Sequence, residues 1–240
     1  MLAIETKNLT KKYKEKIAVN EINLKINQGE LFALLGTNGA GKTTTIKMLS
    51  TLILPTDGKI KINGLDIIKD RQKIKEILNV SPQETAIAPN LSVKENLEFM
   101  AGVYQISNKQ EKINELIKMF KLEEVLNQKA KTLSGGWQRK VSIAISLINE
   151  PQILFLDEPT LGLDVIARKE LWAVIEKLKG KITIILTTHY MEEAESLSDR
   201  IGIMAKGKLI DIGTSKELIE KTGTKNFEDA FVKIATGGEL

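Results

Sequence analysis

From Gly36 to Thr44 the chain reads Gly36-Thr37-Asn38-Gly39-Ala40-Gly41-Lys42-Thr43-Thr44, directly after the apolar run Leu31-Phe32-Ala33-Leu34-Leu35. Glycines at 36, 39 and 41 permit unusual φ values, so consecutive backbone N–H groups can turn inward on a polyphosphate. Lys42 adds a point charge for the outer phosphates, and the Thr43 hydroxyl is placed to ligate a magnesium ion. From Thr44 to Leu49 the spacing is helical, so the loop delivers the phosphates to a helix N-terminus whose dipole favours anions. A strand before and a helix after distinguish the pattern from a chance run of Gly, Lys and Thr. Nucleotide binding is the chemistry it predicts.

The second site is Leu156-Asp157-Glu158-Pro159-Thr160, at the end of the apolar strand Ile153-Leu154-Phe155-Leu156. Ligands of a parallel sheet bind at the carboxyl ends of its strands, which lets Asp157 and the phosphate loop share one magnesium ion. Glu158, pointing elsewhere, is suited to polarise a water in line with the terminal phosphate, as general base. A third segment, Leu133-Ser134-Gly135-Gly136-Trp137-Gln138, puts Ser134 at the start of a helix continuing through Val141, Ala144, Ile145 and Ile148. Ser134 is expected to cap that helix, with Gly135 and Gly136 open to close approach. Alone this is an ordinary loop. Beside the other two segments it is a second anion-binding helix start for a single terminal phosphate, which suggests that Ser134 serves the nucleotide of a second protomer.

The elements that must position these residues are α/β in character. Short alternating segments between Leu2 and about Gly64, such as Ile22–Ile26 and Gly58–Gly64, predict antiparallel strands flanking the loop. From about Pro89 to Lys131 apolar residues recur at spacings of three and four (Leu97, Met100, Ala101, Tyr104; Ile113, Leu116, Ile117, Phe120), predicting a helical subdomain. Then come two buried strands, Ile153–Leu156 and Ile182–Leu186, around a helix Ala167–Leu178, a βαβ unit and hence a parallel sheet. Beyond Lys206 one more strand pair and two helices, Ser215–Lys221 and Phe227–Ile234, are expected. The predicted fold is therefore α/β, a phosphate-loop core with a mixed or parallel sheet, an antiparallel β subdomain and an α-helical subdomain. We divide it at about 1–88 and 150–215 for the core and antiparallel part, 89–149 for the helices and 215–240 for the C-terminal helices.

With 240 residues, 42% hydrophobic, the chain has enough apolar material for such a core. The absence of cysteine excludes disulfides and thiolate metal sites. No apolar run approaches the roughly 20 residues needed to span a bilayer, and the first residues lack the apolar centre of a secretion signal. A cytoplasmic location is expected unless a partner anchors the chain. The net charge of +4 comes from 35 basic residues interleaved with 31 acidic ones, a mixed solvated surface, and no nucleic acid partner is expected.

Taken together, the chain resembles the nucleotide-binding subunit of an ABC transporter over essentially its whole length. Gly36 to Thr44 matches that family's Walker A loop, Ile153 to Glu158 its Walker B strand and catalytic glutamate, and Leu133 to Gln138 its signature motif. The resemblance implies ATP and Mg2+ as ligands and adds further site residues. Gln83, in Ser81-Pro82-Gln83-Glu84, falls where the family has a glutamine that reaches magnesium and senses the γ-phosphate. His189, the only histidine, occupies the position of the switch histidine. Tyr13 lies where an aromatic ring stacks on adenine, and Leu161-Gly162-Leu163-Asp164 resembles the loop through which one protomer reports to the other's site, with Asp164 its contact residue.

Thr187 to Glu195, Asn226 to Phe231 and Leu171-Trp172 are similar to the ATPases of two-component exporters. This implies an ABC-2 type membrane subunit as partner, docking on a groove within Ser81 to Tyr104, and a place on the inner face of the cell membrane. Thr37, Trp137 and Val165 depart from the usual residues, and Lys179-Gly180-Lys181 is a short connection, but none of these removes a ligand. The same chemistry serves soluble ABC ATPases acting on DNA or ribosomes, which usually carry a long coiled-coil insertion or two ATPase domains. It also underlies idle regulatory subunits, against which the intact Glu158 and His189 argue.

Overall fold

In the computed structural model, which describes residues 1–238, the chain opens with two long antiparallel strands, β1 (Leu2–Tyr13) and β2 (Lys16–Asn27). It then crosses to a second layer as β3 (Leu31–Gly36), passes through the phosphate loop and enters helix α1 (Lys42–Leu49). β4 (Asp57–Ile62) and β5 (Leu65–Asp66) return to the first layer and complete an antiparallel sheet of order β2-β1-β4-β5. Its register explains its two faces. Ile4 lies opposite both Ile26 and Ile62, and all three are buried; Glu5, one residue on, lies opposite Lys25 and Lys61 on the outer face. Alternation of period two thus separates an apolar seam from opposite-charge cross-strand pairs.

Helix α2 (Arg71–Ile77) leads into β6 (Leu78–Ser81), an edge strand of the second sheet. Helices α3 (Val93–Val103), α4 (Lys109–Phe120) and α5 (Gly135–Ser146) follow. The chain re-enters the sheet as β7 (Ile153–Asp157), crosses over through α6 (Val165–Leu178) to β8 (Thr183–Thr188), and passes α7 (Met191–Leu197) to the hairpin β9 (Arg200–Ala205) and β10 (Lys208–Gly213). Helices α8 (Ser215–Thr222) and α9 (Phe227–Thr236) come last. The expected C-terminal segment extends to residue 240, and its last two positions lie outside the described residues. The second sheet has the order β10-β9-β3-β8-β7-β6, parallel throughout except for the β9–β10 pair.

Both faces of this sheet are covered, which is why β3, β7 and β8 are apolar without a break. Along β7, Ile153 and Phe155 pack with the antiparallel sheet and α1, whereas Leu154 and Leu156 pack with the helices. That second cluster runs without interruption from Val93 and Leu97 of α3 through Leu116 of α4 and Ala144 of α5 to Leu171 of α6. The helices from α3 to α5 therefore share a core with the sheet that carries Asp157.

Several expected boundaries move. The last strand pair does not lie wholly beyond Lys206; that residue and Gly207 are its turn, both with positive φ (48° and 79°), as a two-residue hairpin requires. Helix α5 stops at Ser146 rather than running through Ile148, because Leu147 and Ile148 close tighter i to i+3 bonds as the chain turns toward Pro151. β6 is too short, at 4 residues, to carry an alternation of its own and is defined by its pairing with β7.

Candidate active site

The phosphate loop is held by two kinds of glycine. Gly39 and Gly41 adopt φ of 80° and 102°, and a Cβ on Gly41 would come within 2.6 Å of the Ala18 carbonyl oxygen. Gly36 does not share the positive φ expected for it. It is required by close approach, since a Cβ there would collide with the Met204 carbonyl of β9. Lys42 begins α1, and its Nζ donates to the Gly36 carbonyl at 2.8 Å and to that of Thr37 at 3.4 Å. The ammonium is thereby held inside the curl of its own loop.

The ends of β7 and β8 come next. Their register sets Asp157 beside Thr187. Asp157 Oδ1 accepts from Thr187 Oγ1 at 2.5 Å and from Thr43 Oγ1 at 3.1 Å, so one carboxylate oxygen joins the acidic strand end to the phosphate loop. At Glu158 the backbone turns left-handed (φ 49°), and its N–H is held by the carbonyl and hydroxyl of Thr187. From this turn the Glu158 side chain reaches Lys42 and His189. Its Oε1 lies 3.2 Å from Lys42 Nζ and its Oε2 lies 2.7 Å from His189 Nδ1. An ionised carboxylate only accepts, so Nδ1 carries the proton in that pair and Nε2 is left free.

An open cavity of about 800 Å³ gathers most of the expected residues. Asn38 to Thr44 form its floor, Glu158, His189 and Gln83 border it, and Tyr13, 47% exposed at the end of β1, lines it as well. Lys11 Nζ stands 5.2 Å from the centre of the Tyr13 ring. Gly36 and Thr37 lead into the floor without lining the cavity. Ser134, Gly135, Gly136 and Asp164 are not brought there. They border a separate pocket of about 430 Å³ between the start of α5 and the start of α6. Ser134 occupies the N-cap position of α5, yet its hydroxyl does not bond the first turn as expected; it lines this pocket instead. Asp164 does cap its helix, accepting from the Ile166 and Ala167 N–H groups at 2.9 and 3.0 Å.

Two residues that the sequence reading passed over support the site. Thr187 is one; its neighbourhood to His189 at a strand end was the available signal. Arg139 of α5 is the other, 3% exposed, and its guanidinium donates to the carbonyls of Pro82, Gln83 and Glu158 at 2.6, 2.9 and 2.8 Å. Burial lowers its pKa, opposed by the charges of Asp157, Glu193 and Glu158. No sequence spacing reveals such a bond, because all three acceptors are backbone.

Thr43 and Asp157 present hard oxygen donors side by side, and Thr43 and Gln83 line the same cavity, a set that suits a magnesium ion shared with substrate phosphates. Among the described residues there is no group of three or more His, Cys, Asp or Glu able to hold a metal by itself.

The family description "ABC transporter" matches residues 19–161. The chain is 42% identical over 226 residues to the phospholipid-transporting ATPase ABCA3 of Homo sapiens, covering 92% of this chain but only 13% of that protein. It is 37% identical to the linearmycin resistance ATP-binding protein LnrL of Bacillus subtilis (strain 168), covering 98% of this chain and 75% of LnrL. Among solved structures, an ATP binding subunit of an ABC transporter superposes with a TM-score of 0.87 at 29% identity, over 97% of this chain and 99% of that one. The dimeric, post-hydrolysis state of the ATP-binding cassette MJ0796 bound to ADP and Pi superposes with a TM-score of 0.79 at 28% identity, over 88% and 98%. The chain spans only a small part of the length of ABCA3, and it belongs to the ABC transporter family.

Proposed function

We propose that the chain powers export through a separate membrane subunit, by closing as a head-to-tail dimer over ATP and reopening on hydrolysis. The observation that carries this reading is the split arrangement of the phosphate-binding elements. Lys42, Thr43, Glu158 and His189 line one cavity, with Asp157 bonded to Thr43, whereas Ser134 to Gly136 border another surface of the same chain. In the proposed dimer Ser134 and Gly136 of one protomer complete the cavity of the other, beside Asp164. ATP favours the closed state by its extra contacts there, and only that difference in affinity can do work on a partner.

Within each site Lys42 would face the outer phosphates, Tyr13 would stack on the base, and Thr43, Asp157 and Gln83 would hold Mg2+, which would supply positive charge for the phosphates. Glu158 orients the attacking water and takes its proton, with His189 fixing the carboxylate. The partner we assign is an ABC-2 type membrane protein. The name of LnrL, a resistance protein, is in keeping with an export role. No helix among the described residues is long and apolar enough to cross a membrane, and the chain is assigned to the inner membrane face through that partner. The division into a core at 1–88 and 150–215, helices at 89–149 and C-terminal helices from 215 belongs to the same proposal.

The test is steady-state phosphate release with and without Mg2+, beside binding of a fluorescent ATP analogue. Glu158→Gln is expected to retain nucleotide binding and to lose turnover on the order of 10²- to 10⁴-fold. Turnover by this variant at the wild-type rate would remove Glu158 from its assigned role.

A further inference from the structure

Glu193 is fully buried on the first turn of α7, four residues after His189, and nothing in the hydrolytic scheme uses it. Its Oε1 accepts from Thr160 Oγ1 at 2.7 Å and from the indole N–H of Trp172 at 3.0 Å, while Oε2 has no hydrogen-bond partner among the described residues. These donors sit on strategic segments. Thr160, itself 1% exposed, lies two residues after Glu158 in the turn closed by Leu161 N–H on the Glu158 carbonyl. Trp172 belongs to α6, the helix that begins at the Asp164 cap. A single carboxyl oxygen therefore ties the segment leaving Glu158 and the helix following Asp164 to the helix following His189.

We propose that Glu193 is a positioning residue for ATP hydrolysis: by bracketing Thr160 and Trp172 it sets the 2.7 Å contact between Glu158 and His189. This rests on the reading of those two residues as the hydrolytic pair. A buried carboxyl is costly, and an apolar side chain would serve packing alone at lower cost. Burial pushes the Glu193 carboxyl above its ordinary value, and the nearby Glu158 charge adds to the shift, against the hydrogen bonds it accepts. What the site uses is one acceptor oxygen, not a negative charge. Glutamine keeps that oxygen; alanine does not. Arg168, which pairs with Glu192 at 3.2 Å and lies over the Trp172 and Tyr190 rings, borders the same α6–α7 contact from outside.

The experiment compares Glu193→Ala, Glu193→Gln, Thr160→Val and Glu158→Gln with the wild type for kcat, KM for ATP and melting temperature. The Trp172 indole ¹⁵N–¹H signal is followed in parallel, one of only two such signals the chain can give. Glu193→Ala is expected to lower kcat roughly 10- to 100-fold with KM changed by less than about twofold, and to shift the Trp172 signal. Glu193→Gln is expected to restore kcat to within about threefold of wild type, and Thr160→Val to reproduce most of the loss. Should Glu193→Ala fail to fold, the near-isosteric Thr160→Val and Glu193→Gln decide by themselves. Wild-type kcat in folded Thr160→Val, or equal losses in the Gln and Ala variants, would overturn the proposal. If Glu158→Gln also turns over normally, the hydrolytic reading falls with it; if Glu158→Gln is dead and Thr160→Val is not, only the role of Glu193 falls.

Discussion

A left-handed backbone at Glu158 lets two consecutive carboxylates serve different partners. Without it the side chains of Asp157 and Glu158 would follow the strand's alternation to opposite faces of the sheet. With it, Asp157 stays on Thr43 and Thr187 while Glu158 reaches Lys42 and His189. A non-glycine residue in this region is strained, and such strain concentrates at sites whose surroundings enforce it. Thr187 is part of that enforcement. Thr187→Val removes a hydroxyl that donates to Asp157 and accepts from the Glu158 N–H, and should cost on the order of 1–3 kcal/mol in urea unfolding; an unchanged midpoint would show that the strand end holds without it. At this scale local motifs marked Lys42, Asp157 and Glu158, and the fold sets Glu158 beside Lys42 and Asp157 beside Thr43. The sequence was blind to Arg139, whose acceptors are main-chain carbonyls up to 57 residues away.

The proposed mechanism depends on helix starts, and the three that it uses differ. The start of α1 is stopped by glycine at φ 102°, that of α5 is left open by Ser134, and that of α6 is closed by Asp164. The Asp164 cap yields a direct prediction. Asp164→Ala should lose about 1 kcal/mol and roughly 2–4 °C in melting temperature, and Asp164→Asn, an equally good cap, should lose neither. If both variants instead keep wild-type stability, the cap seen here contributes nothing. The capping box at the start of α3 adds a pH dependence. The Ser92 N–H, donating to Glu95 at 2.7 Å, holds that carboxyl below its ordinary value of 4.5. Its contribution is therefore fully present above pH 4.5 and lost as the pH falls through the lower folded value. The difference in thermal midpoint between wild type and Glu95→Gln should shrink on acidification from pH 7 to pH 3, and a difference independent of pH would contradict this. Long periodic segments such as α4 and α6 were legible because one face packs into a core; β6 and β9 were not, since their places depend on partner strands far away in the chain.

Across the whole molecule, one continuous apolar cluster links α3, α4 and α5 to the sheet, and Arg139 adds a polar tie at its edge, from α5 to both Gln83 and Glu158. Arg139→Met removes the donor shared by the carbonyls of Pro82, Gln83 and Glu158, of which the last keeps Leu161 N–H, and should cost on the order of 1–3 kcal/mol, read as a lowered urea midpoint; a stable variant would show that the helices are held by the apolar cluster alone. What the sequence conveyed at this scale was the inventory of motifs and their order. Which of them share a cavity is a property of the topology: β3, β7 and β8 are neighbours in the sheet although more than a hundred residues separate the first from the others in the chain. The separation of Ser134 from that cavity is the molecule's most consequential geometric fact, and it makes a second protomer necessary to the account. The measurement that tests this most directly is the light-scattering mass of Glu158→Gln with and without ATP and Mg2+. The account predicts a mass that doubles only when ATP is present and returns to the monomer value when Ser134→Arg is added. A Glu158→Gln protein that binds ATP and stays monomeric would contradict it.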